Sequence, residues 1–186
     1  TMLLRSVAHV PCVRVCAPME LRVQRLMKRL ETDDEKLARH EIEVDDHARA
    51  SRMSEHFGVH WGDPALYDLT LNTERIPVPT CVDMVVGLAR SASFQETPES
   101  RQHLADLALA SKARAALKAN PATTDINVHI EASGGRLLLR GIVANDREHA
   151  LCHEVVGALA GPAGIEDDLT TMSGRMKTFP QQHLRK

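Results

Sequence analysis

Residues 126–143 read INVHIEASGGRLLLRGIV, and this stretch decides the architecture of the second half of the chain. Ile126, Val128 and Ile130 alternate with Asn127, His129 and Glu131, a period of two that places the apolar side chains on one face of a strand. Gly134-Gly135 accepts positive φ at both positions, so the chain turns there. It returns through RLLLRGIV with Leu137, Leu139, Gly141 and Val143 on a shared face, which makes a β-hairpin. Upstream, Thr97-Pro98 starts a helix, because proline is favoured at the first helical position. Leu104, Leu107, Ala108, Ala115 and Leu117 supply its apolar face, and Asn120-Pro121 stops it. Downstream, Asn145 and Glu148 make a capping-box-like start to a helix carrying Leu151, Val155, Ala158 and Leu159. Gly161-Pro162-Ala163-Gly164 ends that helix, and Ile165 to Leu169 is a last short strand. Residues 101–172 are thus expected to form an α-β-β-α-β module, with a polar, basic tail over 173–186.

The first half follows another rhythm. Residues 10–18, VPCVRVCAP, read as a buried strand stopped by Pro18, and Glu20 to Leu30 as a helix. Residues 32–56, TDDEKLARHEIEVDDHARASRMSEH, are charged helix formers with few large apolar side chains, so they form a solvated excursion or wrap a ligand. LYDLTL, 66–71, reads as a second strand, and Val78 to Ala89 as an amphipathic helix. Strand, helix, polar excursion, strand, helix is the order of an open parallel α/β sheet. The small, polar SASFQETPES, 91–100, separates the halves. The expected organisation is an α/β region over 1–92, a linker over 93–100 and the module over 101–172. The start at Thr1-Met2-Leu3-Leu4, close before the first strand, reads as part of something longer.

Composition narrows the function. Of 186 residues, 43% are apolar and 26% charged, enough to build a core. The 23 basic and 25 acidic residues nearly cancel, and neither half carries the basic excess of a general nucleic-acid binder. Five aromatic residues are too few for a base-stacking platform. No apolar run is long enough to span a membrane, and no signal-peptide pattern opens the chain. Cys12, Cys16, Cys81 and Cys152 lack a CxxC pattern, so free thiols in the cytoplasm are expected; a metal pair at Cys12 and Cys16 is the alternative. Any contact of the neutral module with phospholipid should be weak. The basic residues comprise 17 Arg and six Lys, and the forked guanidinium suits phosphate where several converge.

Motifs for chemistry are sparse. No glycine is followed by lysine, so the sequence holds no G-x-x-x-x-G-K phosphate loop, and it has no G-x-G-x-x-G or G-x-S-x-G. His56/His60 and His149/His153 have the i, i+4 spacing of a helical metal pair, but Gly58 interrupts the first and the second sits among surface carboxylates. No metal site is expected. Phe57, Trp61 and Tyr67 read as a local packing plug, with a stacking site as the alternative. Arg39, Arg49 and Arg52 share the polar excursion with Asp45 and Asp46. They form either a solvated face of ion pairs or a lid whose guanidinium groups hold a phosphoryl group.

Two resemblances carry these readings further. HVPCVRVCAPMELRVQRLMKR, the spaced Arg49 and Arg52, and FGVHWGDPALYDLTLNTERIPV resemble the C-terminal part of a cytidylate kinase-like family of P-loop nucleoside monophosphate kinases. The resemblance implies that the excursion is a lid whose arginines (Arg39, Arg49 and Arg52 here) touch phosphates. It also implies that the loop at Asn72 and Thr73 lies on the base side of a nucleotide. ALKANP, INVHIEA, GGRLLLRGIV and GPAGIEDDL resemble a BON domain, a small bacterial module without catalytic residues that is regarded as binding phospholipid or small ligands. Three functions are compatible with this. The first is a truncated kinase-like protein with a binding module, regulatory and not catalytic as these residues stand, needing no cofactor. The second is part of an active CMP-type kinase, with ATP and Mg²⁺, whose phosphate loop lies upstream of Thr1. The third is a structural partner-binding protein. A strand at 10–17 without early neighbours also predicts a homodimer, or another chain element, covering Val10, Val13 and Val15.

Overall fold

β1 (Val13–Cys16) and β2 (Leu69–Asn72) pair in parallel, with Val13 opposite Leu69 and Val15 opposite Leu71. A parallel pair needs a crossover, here α1 (Met19–Leu30) followed by α2 (Glu35–Phe57). Both strands are shorter than their apolar patterns. Val10 to Cys12 precede the ladder, and Pro64–Leu66 form a 3-10 turn in place of the start of a strand. The pairing is tied beyond the strand at Asp68, whose carboxylate accepts the Cys12 amide at 2.7 Å while its own amide donates to Cys12 O at 2.8 Å.

The computed structural model describes residues 2–172; the tail at 173–186 lies outside the described residues. The chain divides into two compact units, Thr1–Glu96 and Thr97–Lys186. In the first, α2 runs unbroken for 23 residues. Asp34 caps its start by accepting the Leu37 amide, and Gly58 ends it with φ 63°. The expectation that this polar segment contributes no core is corrected at two positions: Ala38 and Ile42 are buried with Val23 of α1. α3 (Val78–Arg90) completes the unit and leaves Val78, Val82 and Val86 exposed, as is Val15 of β1, at 62%.

The second unit is the expected α-β-β-α-β module: α4 (Pro98–Ala119), β3 (His129–Ser133), β4 (Arg136–Val143), α5 (Asp146–Gly157) and β5 (Ile165–Thr171). β4 is central, antiparallel to β3 and parallel to β5. Leu137, Leu139 and Val143 are buried on one face of β4, and the core gathers Ile130, Cys152 and Val156 around them. Gly134 and Gly135 take φ 59° and 79°, the two positive values a two-residue hairpin turn requires.

Two readings of this unit are corrected. β3 starts at His129, so Ile126 and Val128 precede the strand, although both still pack on the core. The buried stripe of α4 runs Asp106, Ala110, Ala113 and Leu117, while Ala108 and Ala115 are exposed. Asp106 is drawn inward because its carboxylate accepts the amides of Gly134 at 2.9 Å and Gly135 at 2.8 Å. The helix start is locked by a reciprocal capping box between Thr97 and Ser100.

Candidate anion-binding cleft

Where β1 runs into α1, the backbone brings four arginines to one concavity of about 320 Å³. Arg14 comes from β1, Arg22 and Arg25 from α1, and Arg49 from α2; Asp46, Trp61 and Thr73 complete the wall. The i, i+3 spacing of Arg22 and Arg25 sets them on one face of α1. Arg14 alternates with Val13 and Val15, so strand geometry turns it to the opposite face from those valines.

Each guanidinium is held by a partner inside the unit. The Arg22 fork donates to both oxygens of Asp46, at 2.6 and 2.7 Å, and this bond joins α1 to α2. Hydrogen bonding from Arg22 holds the Asp46 carboxyl below its ordinary pKa against the cost of burial, and the positive charges of Arg22, Arg49 and Arg14 add to the effect. The same bond raises Arg22. Arg25 donates to the hydroxyl and carbonyl of Thr73, at 2.7 and 2.9 Å. Arg49 pairs with Asp45 at 2.8 Å, one helical turn back. Its guanidinium lies 5.2 Å from the Trp61 ring centre.

Arg14 is the most enclosed of the four. Its guanidinium lies 4.9 Å from the Trp61 ring centre and 5.8 Å from that of Tyr67, and Nη1 donates to Gly62 O at 2.6 Å. Trp61 thus has an arginine at each of two contacts, from β1 and from α2. Tyr67 fixes the loop by donating its hydroxyl to Trp61 O at 2.7 Å. The Nε of Arg14 is buried and has no hydrogen-bond partner among the described residues. A buried unpaired donor is costly, and protein atoms enclose this nitrogen on the inner side of the guanidinium, away from solvent.

The residues singled out from the sequence separate here. Arg49 and Thr73 line the cleft. Arg39 pairs with Glu35 at 3.2 Å and lies 3.9 Å from Glu20, away from the cleft wall. Arg52 is exposed on α2 and is not part of that wall. Asn72 turns its side chain to the Glu74 amide, closing a local turn at the end of β2. Phe57 is not part of the aromatic plug: it is 41% exposed, and its ring meets that of His56 edge-on. Arg14, Arg22 and Arg25 were missed. Their signal was faint: an arginine inside an otherwise apolar strand, and two arginines on the next helix face.

A larger groove of about 680 Å³ between α1 and α2 shares Arg22 and Arg25 with the cleft and has Leu26, Leu30, Leu37 and Ile42 in its wall. Among the described residues no three His, Cys, Asp or Glu side chains converge as a metal site would require. His149 contacts Asp167 at 3.2 Å, and His60 lies past the Gly58 cap, off the helix of His56. Among the described residues no cysteine forms a disulfide, and burial pushes the thiols of Cys12 and Cys152 up in pKa, which keeps them protonated and unreactive. Among the described residues no helix is long and apolar enough to cross a membrane.

A crossover-linked parallel strand pair carrying an arginine-lined cleft, followed by a small α-β-β-α-β module, is the class that the geometry defines. Comparison with known proteins gives both parts a family. Residues 1–75 match the cytidylate kinase-like family, and residues 105–172 match the BON domain. A cytidylate kinase of Staphylothermus marinus is 29% identical over 73 residues, covering 39% of this chain. The match spans 41% of that protein's length. The chain therefore combines a cytidylate kinase-like unit with a BON domain.

Proposed function

We propose that the kinase-like unit holds a phosphate-bearing ligand of the nucleotide class in the arginine cleft without phosphoryl transfer by these 186 residues, and that the BON domain serves as a binding module beside it. The observation that carries this reading is the convergence of Arg14, Arg22, Arg25 and Arg49 on one concavity. Phosphoryl transfer depends on in-line positioning and on charge neutralisation at the β- and γ-phosphates and Mg²⁺. In P-loop enzymes those come from the glycine loop, its lysine and its hydroxyl, and the 186 residues contain no such sequence. Arginines alone stabilise charge on a substrate that something else has placed. The role is thus binding or regulatory, and cysteines that form no disulfide among the described residues suit the reducing conditions of the cytoplasm.

A second reading, that the cleft is the lid side of a working nucleotide kinase whose phosphate loop lies elsewhere in a longer chain, is favoured by the match to the Staphylothermus marinus cytidylate kinase. The first reading is tested on these residues alone. The 186-residue chain is incubated with CMP, ATP and Mg²⁺, CDP is measured, and nucleotide binding is followed by the emission of Trp61, the one tryptophan of the sequence. The expected result is salt-sensitive quenching with affinity weaker than micromolar and no CDP above background. CDP formation that is lost in Arg49→Ala would overturn the proposal and restore the enzyme.

A further inference from the structure

We infer that Asp46 is an internal anion seated in the cleft, a competitive plug that a phosphate-bearing ligand must displace from Arg22 before it binds fully. The inference rests on the cleft being an anion site, and concerns what regulates that site.

The geometry supports it in three ways. Asp46 takes both prongs of the Arg22 guanidinium, at 2.6 and 2.7 Å, the bidentate arrangement by which an arginine also takes two oxygens of a phosphate. It lines the same concavity as Arg14, Arg25 and Arg49, so it lies within the cleft. It is also set apart from Asp45: the Asp45–Arg49 pair is exposed, at 58% and 44%, whereas Asp46 and Arg22 are 25% and 31% exposed. An exposed pair one turn apart on a helix is worth little and yields readily to an incoming anion. A bidentate, partly buried pair does not.

The four cationic groups of the cleft are offset by Asp45 and Asp46, and only Asp46 occupies a fork that faces a ligand from α1. A ligand that engages Arg22 must leave the Asp46 carboxylate beside its own negative charge or drive α2 aside. Either cost lowers apparent affinity. Replacing the carboxylate by an amide of the same size removes the competing charge and leaves the shape.

The test uses inorganic pyrophosphate as the probe and titration calorimetry on the full chain, with Trp61 emission as a second readout. Asp46→Asn is expected to tighten pyrophosphate binding about tenfold, the equivalent of about 1.4 kcal/mol. Asp45→Asn, which removes the same charge from the exposed pair, should change it less than about threefold (under ~0.7 kcal/mol). Arg22→Gln, which leaves Asp46 in place, should weaken binding, and it keeps the test alive if circular dichroism shows that Asp46→Asn does not fold. Wild-type binding that is matched but not exceeded by Asp46→Asn, an equal gain in Asp45→Asn, or indifference to Arg22→Gln would overturn the plug and leave the anion site standing. Absence of pyrophosphate binding in the wild type and every variant would overturn the anion site itself, and the plug with it.

Discussion

Asp106→Ala should unfasten the second unit at its hairpin. Asp106 is 6% exposed, and its two oxygens accept the Gly134 amide at 2.9 Å, the Gly135 amide at 2.8 Å and the Gln102 side chain at 3.0 Å. Truncation leaves two turn amides and one side-chain amide without this acceptor. A buried donor left unpaired costs about 1–3 kcal/mol. Gly134 is exposed and Gly135 half-buried, so water can replace part of what is lost, and the Gln102 side chain can swing out. Over the three donors, each discounted in this way, the net cost is about 2–3 kcal/mol. For a unit of this size each kcal/mol lowers the midpoint by about 4–8 °C, so the transition of the second unit should fall by roughly 8–24 °C. Calorimetry of the full chain reads the midpoint, and amide exchange at Gly134 and Gly135 reads the turn itself; both amides should lose protection more than that of Leu139. A change under about 0.5 kcal/mol, with unaltered exchange, would show that the glycine turn holds itself and would refute the reasoning.

Two further outcomes are expected. Glutamyl protease should cut first after Glu96, where residues 95–98 are exposed between the 3-10 turn Ala92–Phe94 and the capping box of α4, and leave a resistant fragment beginning at Thr97; first cleavage inside 126–143 would contradict the domain division. The Asp46–Arg22 pair should also show in the acid limb of stability: because the folded-state pKa of Asp46 is lowered, its contribution is complete above the ordinary aspartate value of about 3.9 and is lost as pH falls through the lowered one. Urea midpoints of wild type and Asp46→Asn should then differ by a constant amount at neutral pH and converge in acid, and a gap that widens on acidification would rule the pair out as a stabiliser.

The elements that were legible in the sequence are those whose side-chain period matches their burial. Leu137, Leu139 and Val143 alternate and are buried on the central strand, where one face meets the helices and the pattern has one meaning. The stripe of α4 was less legible because its buried positions are two alanines, a leucine, a serine and a carboxylate. A charged residue in mid-helix reads as solvent-facing, and Asp106 is buried only because a hairpin distant in sequence offers it two amides. The cleft suffered from the same blindness. Arg49 was legible as part of a charged run, but Arg14 stands on β1 and Arg22 and Arg25 on α1, elements distant from it in sequence. Convergence across a parallel pair is a property of topology, and spacing along the chain does not report it. Arg39 lies about 15 Å from Arg49 along the helix axis, and Arg52, i+3 from Arg49 and so near the same face, is almost one turn farther on and outside the cleft wall.

What an incoming anion gains from each arginine depends on what that arginine gives up. Arg49 gives up an exposed ion pair with Asp45, which is worth tenths of a kcal/mol in water. Arg25 gives up neutral oxygens of Thr73 and trades them for charged ones, a net gain, because hydrogen bonds to ionised acceptors are the stronger kind. Arg14 spends Nη1 on the neutral Gly62 carbonyl and its buried Nε is closed to an incoming anion, so it offers the rest of its guanidinium while it keeps its ring contacts. Arg22 alone gives up a bidentate charged contact and leaves a carboxylate stranded in a shrouded cleft. On the proposed reading of the cleft as an anion site, Arg14, Arg25 and Arg49 would therefore engage a phosphate before Arg22, and full engagement of Arg22 would require displacement of Asp46.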